Sequence, residues 1–80
     1  MNEWDRNNPI ATFVRARRKQ VGLSQIQLSD FTGLGLRFIR EVEQGKPSIR
    51  LDKVNYLLLF FGTELKPIPI SDEKRQRLGE

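Results

Sequence analysis

Eighty residues make a single domain, with or without tails. The chain has no cysteine and no histidine, so disulfides, thiolate metal sites and the commonest general base are excluded, and metal or triad catalysis has no starting point. Fourteen Lys and Arg against ten Asp and Glu leave a net charge of +4, a balance that favours a polyanionic partner but also serves plain solubility.

A core of this size buries only about 60% of the unfolded surface, and small domains often gain the missing stability by oligomerising. The longest apolar stretch, Tyr56 to Phe61, is far too short to span a bilayer. The first residues, Met1-Asn2-Glu3-Trp4-Asp5, contain no apolar signal region. The expectation is a cytoplasmic protein with no membrane association, no cofactor, no metal and no small-molecule substrate.

Residues 1–8 read as a polar tail interrupted by Trp4, which is either a packed anchor or a contact for a protein partner. Asn8-Pro9 then supplies a cap and a first-position proline. Ile10, Phe13, Val14 and Val21 recur at helical spacing until Gly22, which predicts helix 1 over roughly 9–21. Arg15, Arg17 and Lys19 read as its solvated face. Ser24 with Gln27 three residues on forms a capping box, and Leu23 and Leu28 are spaced for a hydrophobic staple. Helix 2 is expected over about 25–31, ended by Gly33, with Leu34 pointing inward. Helix 3 is expected from Gly35 or Leu36 to Gln44, with Ile39 and Val42 inward, Gly45 as a left-handed stop and Pro47 preventing continuation.

Helix 4 should start between Ser48 and Asp52 and end before Gly62. Leu51, Val54, Leu57, Leu58 and Phe61 cluster on one side at 100° per residue, with Tyr56, Leu59 and Phe60 roughly opposite. Two apolar faces in so short a chain imply a second buried surface, most simply against a partner subunit. Residues 63–70 read as extended. Pro67 and Pro69 lack amide donors on one edge, while the amides of 66, 68 and 70 remain on the other. Such a strand is able to pair with its own copy across a two-fold axis; the alternative is an unpaired polyproline-like stretch. Leu65, Ile68 and Ile70 would then join Tyr56, Leu59 and Phe60 in a dimer interface. Residues 71–80 read as a charged flexible tail in which Lys74, Arg75 and Arg77 serve solubility.

The expected fold class is therefore all-α: a bundle of four to five short helices, plus a short C-terminal β-strand available for pairing across a homodimer. The domain boundaries are 1–8, 9–62, 63–70 and 71–80. Helix 2, the tight Thr32-Gly33-Leu34 turn and helix 3 form a helix-turn-helix. A glycine is expected there because a bulky side chain would block the crossing of the two helices. In such a motif the second helix enters the major groove and the first lies across the backbone.

Residues 10–62 resemble the λ-repressor-like (Cro/cI, XRE-type) domains. The resemblance is carried by Arg15-x-x-Arg18-x-x-x-Gly22-Leu23-Ser24-Gln25-x-x-Leu28, by Gly33-Leu34, and by Ile39-x-x-Val42-Glu43-x-Gly45-Lys46. More narrowly, Val14-Arg15-x-Arg17-Arg18-Lys19, Arg37 to Lys46, and Ile49-Arg50-Leu51-Asp52-Lys53-Val54 are similar to HipB-type antitoxins.

The resemblance implies roles residue by residue. Gln25 occupies the position whose amide binds a backbone phosphate and braces the recognition helix. Leu36, Arg37, Arg40 and Glu41 occupy groove-facing positions, and Lys46 follows where the family grips phosphate. Arg18 and Glu43 match a partly buried structural salt bridge. Ser24 and Ser48 are candidates for further phosphate hydrogen bonds, with Ser24 first a helix cap. Chemically, Arg37 and Arg40 carry forked donors that match guanine O6 and N7, and Leu36 offers apolar contact to a thymine methyl. Glu41 either accepts from a cytosine amine or orients Arg37 one turn back. Phe38 is larger than the usual residue at its position and is read as packing on helix 4.

Three function classes stand at this point. One is a repressor that binds palindromic operator DNA as a homodimer; the narrower resemblance implies an antitoxin that also restrains a HipA-like Ser/Thr kinase toxin, single-chain or split. The second is a phage-type or restriction-control regulator with no toxin. The third is a protein inhibitor that does not bind DNA. No nucleophile–base pair stands out, so an enzyme is not expected.

Overall fold

Asn8 opens the first helix: its side chain accepts the Ala11 amide at 2.9 Å, and Pro9 occupies the first position. The computed structural model describes residues 4–77, and α1 (Pro9–Gln20), α2 (Gln25–Thr32), α3 (Leu36–Gln44), α4 (Leu51–Phe60) and α5 (Asp72–Arg77) follow in order. Ser24 and Gln27 close the expected capping box on α2, at 3.0 and 2.9 Å. Gly33 and Gly45 both adopt left-handed conformations at the ends of α2 and α3.

The core is drawn from four helices. Ala11 and Val14 of α1, Leu28 of α2, Ile39 and Val42 of α3, and Val54, Leu57 and Leu58 of α4 are buried, with Phe61 beyond them. Leu34 packs against this cluster as expected. The Phe13 ring meets Phe61 edge to face at 6.5 Å. Because α3 packs against both α1 and α2, it is clamped from two sides.

Several expectations need correction. Leu51 does not join the inner face of α4; it is 65% exposed, because it is the first helical residue and lies beyond the packed turns. Val21 is the C-cap of α1 and is also exposed. Residues 63–70 form no strand, and no strand is present among the described residues. Pro67 and Pro69 remove ladder donors, and the described residues of one protomer contain no second extended segment for pairing; the expected partner strand belongs to a second copy. Leu65 packs instead on the protomer's own core, its amide donating to Asn55 Oδ1 at 3.3 Å, while Ile68 and Ile70 are exposed.

Within the stretch read as a flexible tail, α5 forms. Ser71 Oγ accepts the Lys74 amide at 3.2 Å, Asp72 and Glu73 occupy the first turn where negative charge favours the helix dipole, and Glu73 pairs with Arg77 one turn on. Residues 1–3 and 78–80 of the two expected tails lie outside the described residues. No helix among the described residues is long and apolar enough to cross a membrane.

Candidate nucleic-acid interface

The helix-turn-helix is built by short-range hydrogen bonds. Ser29 Oγ donates to the Leu34 carbonyl at 2.6 Å, Thr32 Oγ1 donates to the Leu28 carbonyl at 2.7 Å, and the Leu34 amide donates back to Thr32 Oγ1 at 3.2 Å. Gly33 is required by conformation rather than by crowding. Its φ is +76°, and a Cβ there would meet nothing within 4 Å, which corrects the expectation of a blocked helix crossing. Gly33→Ala is therefore expected to cost about 1 kcal/mol of stability by thermal melting, the strain of a left-handed alanine, with no repacking.

One network holds α3 in place from the inside. Glu43 is 2% exposed, yet it is fully engaged. Arg18 Nε donates to Glu43 Oε2 at 2.6 Å and Arg18 Nη2 to Oε1 at 2.9 Å, while Gln25 Nε2 donates to the same Oε1 at 3.0 Å. Arg18 also donates to the Leu23 carbonyl at 3.0 Å. The hydrogen bond to Glu43 raises the Arg18 pKa above its ordinary value. This fork joins α1, the start of α2 and α3 through one carboxylate. Gln25 thus braces α3 by a direct bond to it.

The outward side of α3 carries the other set. Leu36, Arg37, Arg40 and Glu41 line one cleft together, so the four groove-facing candidates share a surface. The Arg37 side chain is 91% exposed. Glu41 Oε2 accepts from Arg37 Nε at 3.4 Å and from Lys46 Nζ at 3.3 Å, so it links the two basic side chains on this surface. Ser24 caps α2 and is exposed; Ser48 is also exposed, in a shallow cleft beside Arg37 and Lys46. Phe38 packs on the core as expected, under the Lys53 ammonium of α4 at 5.8 Å from the ring centre.

Other contributions were not anticipated. Arg50 and Lys53 border the same cleft as Ser48 and Lys46 and extend the basic surface onto α4. Arg50 is paired with Asp52 at 2.6 Å, and that hydrogen bond holds the Asp52 carboxyl below its usual range. Both basic residues were visible in the sequence, but only the turn between α3 and α4 brings them beside α3. Arg15 and Arg17 are not a solvated face. Arg15 Nη1 donates to the carbonyls of Arg6 at 2.7 Å and Glu43 at 2.6 Å. Arg17 lies over the Phe61 ring at 5.9 Å and donates to Gln20 Oε1 at 3.0 Å. Long guanidinium side chains reach backbone carbonyls across the fold, which helical periodicity does not register. Away from this surface, Tyr56, Leu59 and Phe60 are exposed, and Phe60 shares a cleft with Val21 and Phe31.

Residues 14–68 match the helix-turn-helix family. The chain belongs to the helix-turn-helix family. A similar protein is the uncharacterized HTH-type transcriptional regulator y4mF of Sinorhizobium fredii (strain NBRC 101917 / NGR234), 39% identical over 56 residues, which cover 70% of this chain and 74% of that protein. As a helix-turn-helix protein, the chain is a DNA-binding module rather than an enzyme.

Proposed function

We propose that this helix-turn-helix protein is a transcriptional repressor that reads double-stranded operator DNA as a homodimer, with residues 9–62 as the DNA-binding unit. The observation that carries this reading is the contrast across α3: Ile39, Val42 and Glu43 are buried, while Arg37 and Arg40 project outward on a basic rim. Forked donors at that rim suit guanine O6 and N7 in the major groove. Leu36 and Glu41 complete the base-facing set, and Ser24, Gln25, Lys46 and Ser48 contact phosphate at its margins. The similarity to an HTH-type transcriptional regulator supports the same reading.

Selection of duplexes from a randomised pool, followed by gel-shift titration, tests it; retention of no sequence above background would refute it. Lys46→Ala is expected to weaken binding to all sequences alike and to lower the slope of log K against log salt by about one, because one phosphate contact and its released counterion are lost.

Dimerisation is supported by the exposed apolar face of Tyr56, Leu59 and Phe60, to which Phe31 and Val21 add. Residues 63–70 extend that contact, with the amides of 66, 68 and 70 able to pair across the two-fold axis, and two recognition helices then meet half-sites about 34–36 Å apart or a multiple of that. Leu59→Asp is expected to convert a dimer to a monomer in sedimentation while leaving helix content unchanged, since the side chain is outside the core. A wild-type monomer at micromolar concentration removes the dimer from the proposal.

The narrower reading is a HipB-type antitoxin that represses its own operon and neutralises a HipA-like kinase, single-chain or split. It is supported by the resemblance of Arg37 to Lys46 and Ile49 to Val54. Co-purification from the native cell tests it: a kinase-sized companion is the expected result. Its absence, with DNA binding intact, favours a phage-type or restriction-control regulator.

A further inference from the structure

The residues before α1 are tied to the far end of the recognition helix. The Asp5 amide donates to the Gly45 carbonyl at 3.3 Å, and Asn8 Nδ2 donates to the Asp5 carbonyl at 3.0 Å. Arg15 Nη1 bridges the carbonyls of Arg6 and Glu43. Gly45 has φ +85°, and a Cβ there would collide with the Asp5 carbonyl group, so the close approach of this segment depends on glycine. Anchored in this way, the segment delivers Trp4 to the outward side of α3. Trp4 is half-buried and forms one wall of a cleft of about 590 Å³ shared with Leu36, Arg37, Arg40, Glu41 and Gln44.

We propose that Trp4 is a specificity-determining DNA contact: with Leu36 it forms an apolar notch for the 5-methyl group of a thymine, beside the base pairs met by Arg37 and Arg40. This deepens the DNA-binding reading above and rests on it. The thymine methyl is the one apolar feature that base pairs present in the major groove. On this side of α3 the other lining residues are charged or polar, so only Trp4 and Leu36 suit it. Charge decides the occupant. A protein surface seated here would desolvate Arg37 and Arg40, whereas a duplex brings base-edge acceptors to their forks and its phosphates to the basic residues around them. An indole also presents a large rigid surface with only two torsions, and its anchored segment is already ordered before binding.

Trp4 is the single tryptophan of the chain, so its fluorescence reports on this site directly. With a duplex selected from a randomised pool by the wild-type protein, saturation is expected to change the emission. Replacing thymines one at a time by uracil removes one methyl each. One such replacement is expected to weaken wild-type binding about fourfold, the effect of exposing one buried methyl-sized group. In Trp4→Ala that penalty is expected to disappear, and Trp4→Phe should keep part of it. Unchanged emission at saturation, which needs no variant, overturns the proposal. So does a uracil penalty equal in wild type and Trp4→Ala, which assigns the methyl to Leu36 alone, and so does the lack of any uracil penalty. In each of these cases gel-shift binding itself stands. Failure to retain any duplex removes the DNA-binding reading as well, so the two failures are separable.

Discussion

Glu43→Ala is expected to destabilise the protein by about 3–5 kcal/mol, the range for breaking a buried ion pair by deleting one partner. Deletion leaves the half of the network that cannot rescue itself. Arg18 stays charged, with its side chain 12% exposed, and among the described residues keeps only the Leu23 carbonyl. Gln25 Nε2 loses the acceptor that ties α2 to α3. Small domains have about 5–15 kcal/mol in total, so the variant should be largely unfolded at modest urea. Urea denaturation followed by circular dichroism measures it. Replacing both members, Arg18→Met with Glu43→Leu, is expected to recover most of the loss, because two apolar side chains leave no orphaned charge. A Glu43→Ala midpoint close to wild type would mean that packing of Ile39 and Val42 alone holds α3.

Arg37→Ala should behave in the opposite way. Stability is expected to change little, because the side chain is exposed and its ion pair with Glu41, a 3.4 Å contact, is a surface helix pair. Affinity for a selected duplex is expected to fall by about 1–3 kcal/mol, with discrimination relaxed at one base pair. Arg37→Lys should lose most of that discrimination too, since an ammonium keeps the charge but not the fork. Gel-shift titration against single-base variants of the duplex provides the measurement. Unaltered affinity in Arg37→Ala would place the groove-facing register of α3 elsewhere.

The parts of the fold that were legible from the sequence are those specified by neighbours in the chain. Asn8-Pro9, the Ser24–Gln27 box, Gly33 and Gly45 each act over four residues or fewer, and each marks a helix end in the structure. The Arg18–Glu43 pair spans 25 residues and was reached only through resemblance to a family. The signals that α5 would form, Ser71 followed by Asp72 and Glu73, were present but outweighed by the charge of the segment. What could not be read was side chain to main chain at long range. Nothing in the spacing of Arg15 indicates that it would hold the carbonyls of Arg6 and Glu43, 9 and 28 residues away. The placement of Trp4 follows from that bridge and was hidden with it. Leu51 misled because helical phase says which side a residue occupies but not whether the opposing surface extends that far.

The nine residues of α3 divide their work so cleanly that one helix carries two nearly independent texts. The inward letters, Ile39, Val42 and Glu43, address the scaffold; Arg37 and Arg40 address whatever lies outside. Exchanging the second set should re-target the protein while its melting temperature barely moves. Relatives built on this plan would be free to diverge in the sites they occupy without renegotiating how they fold.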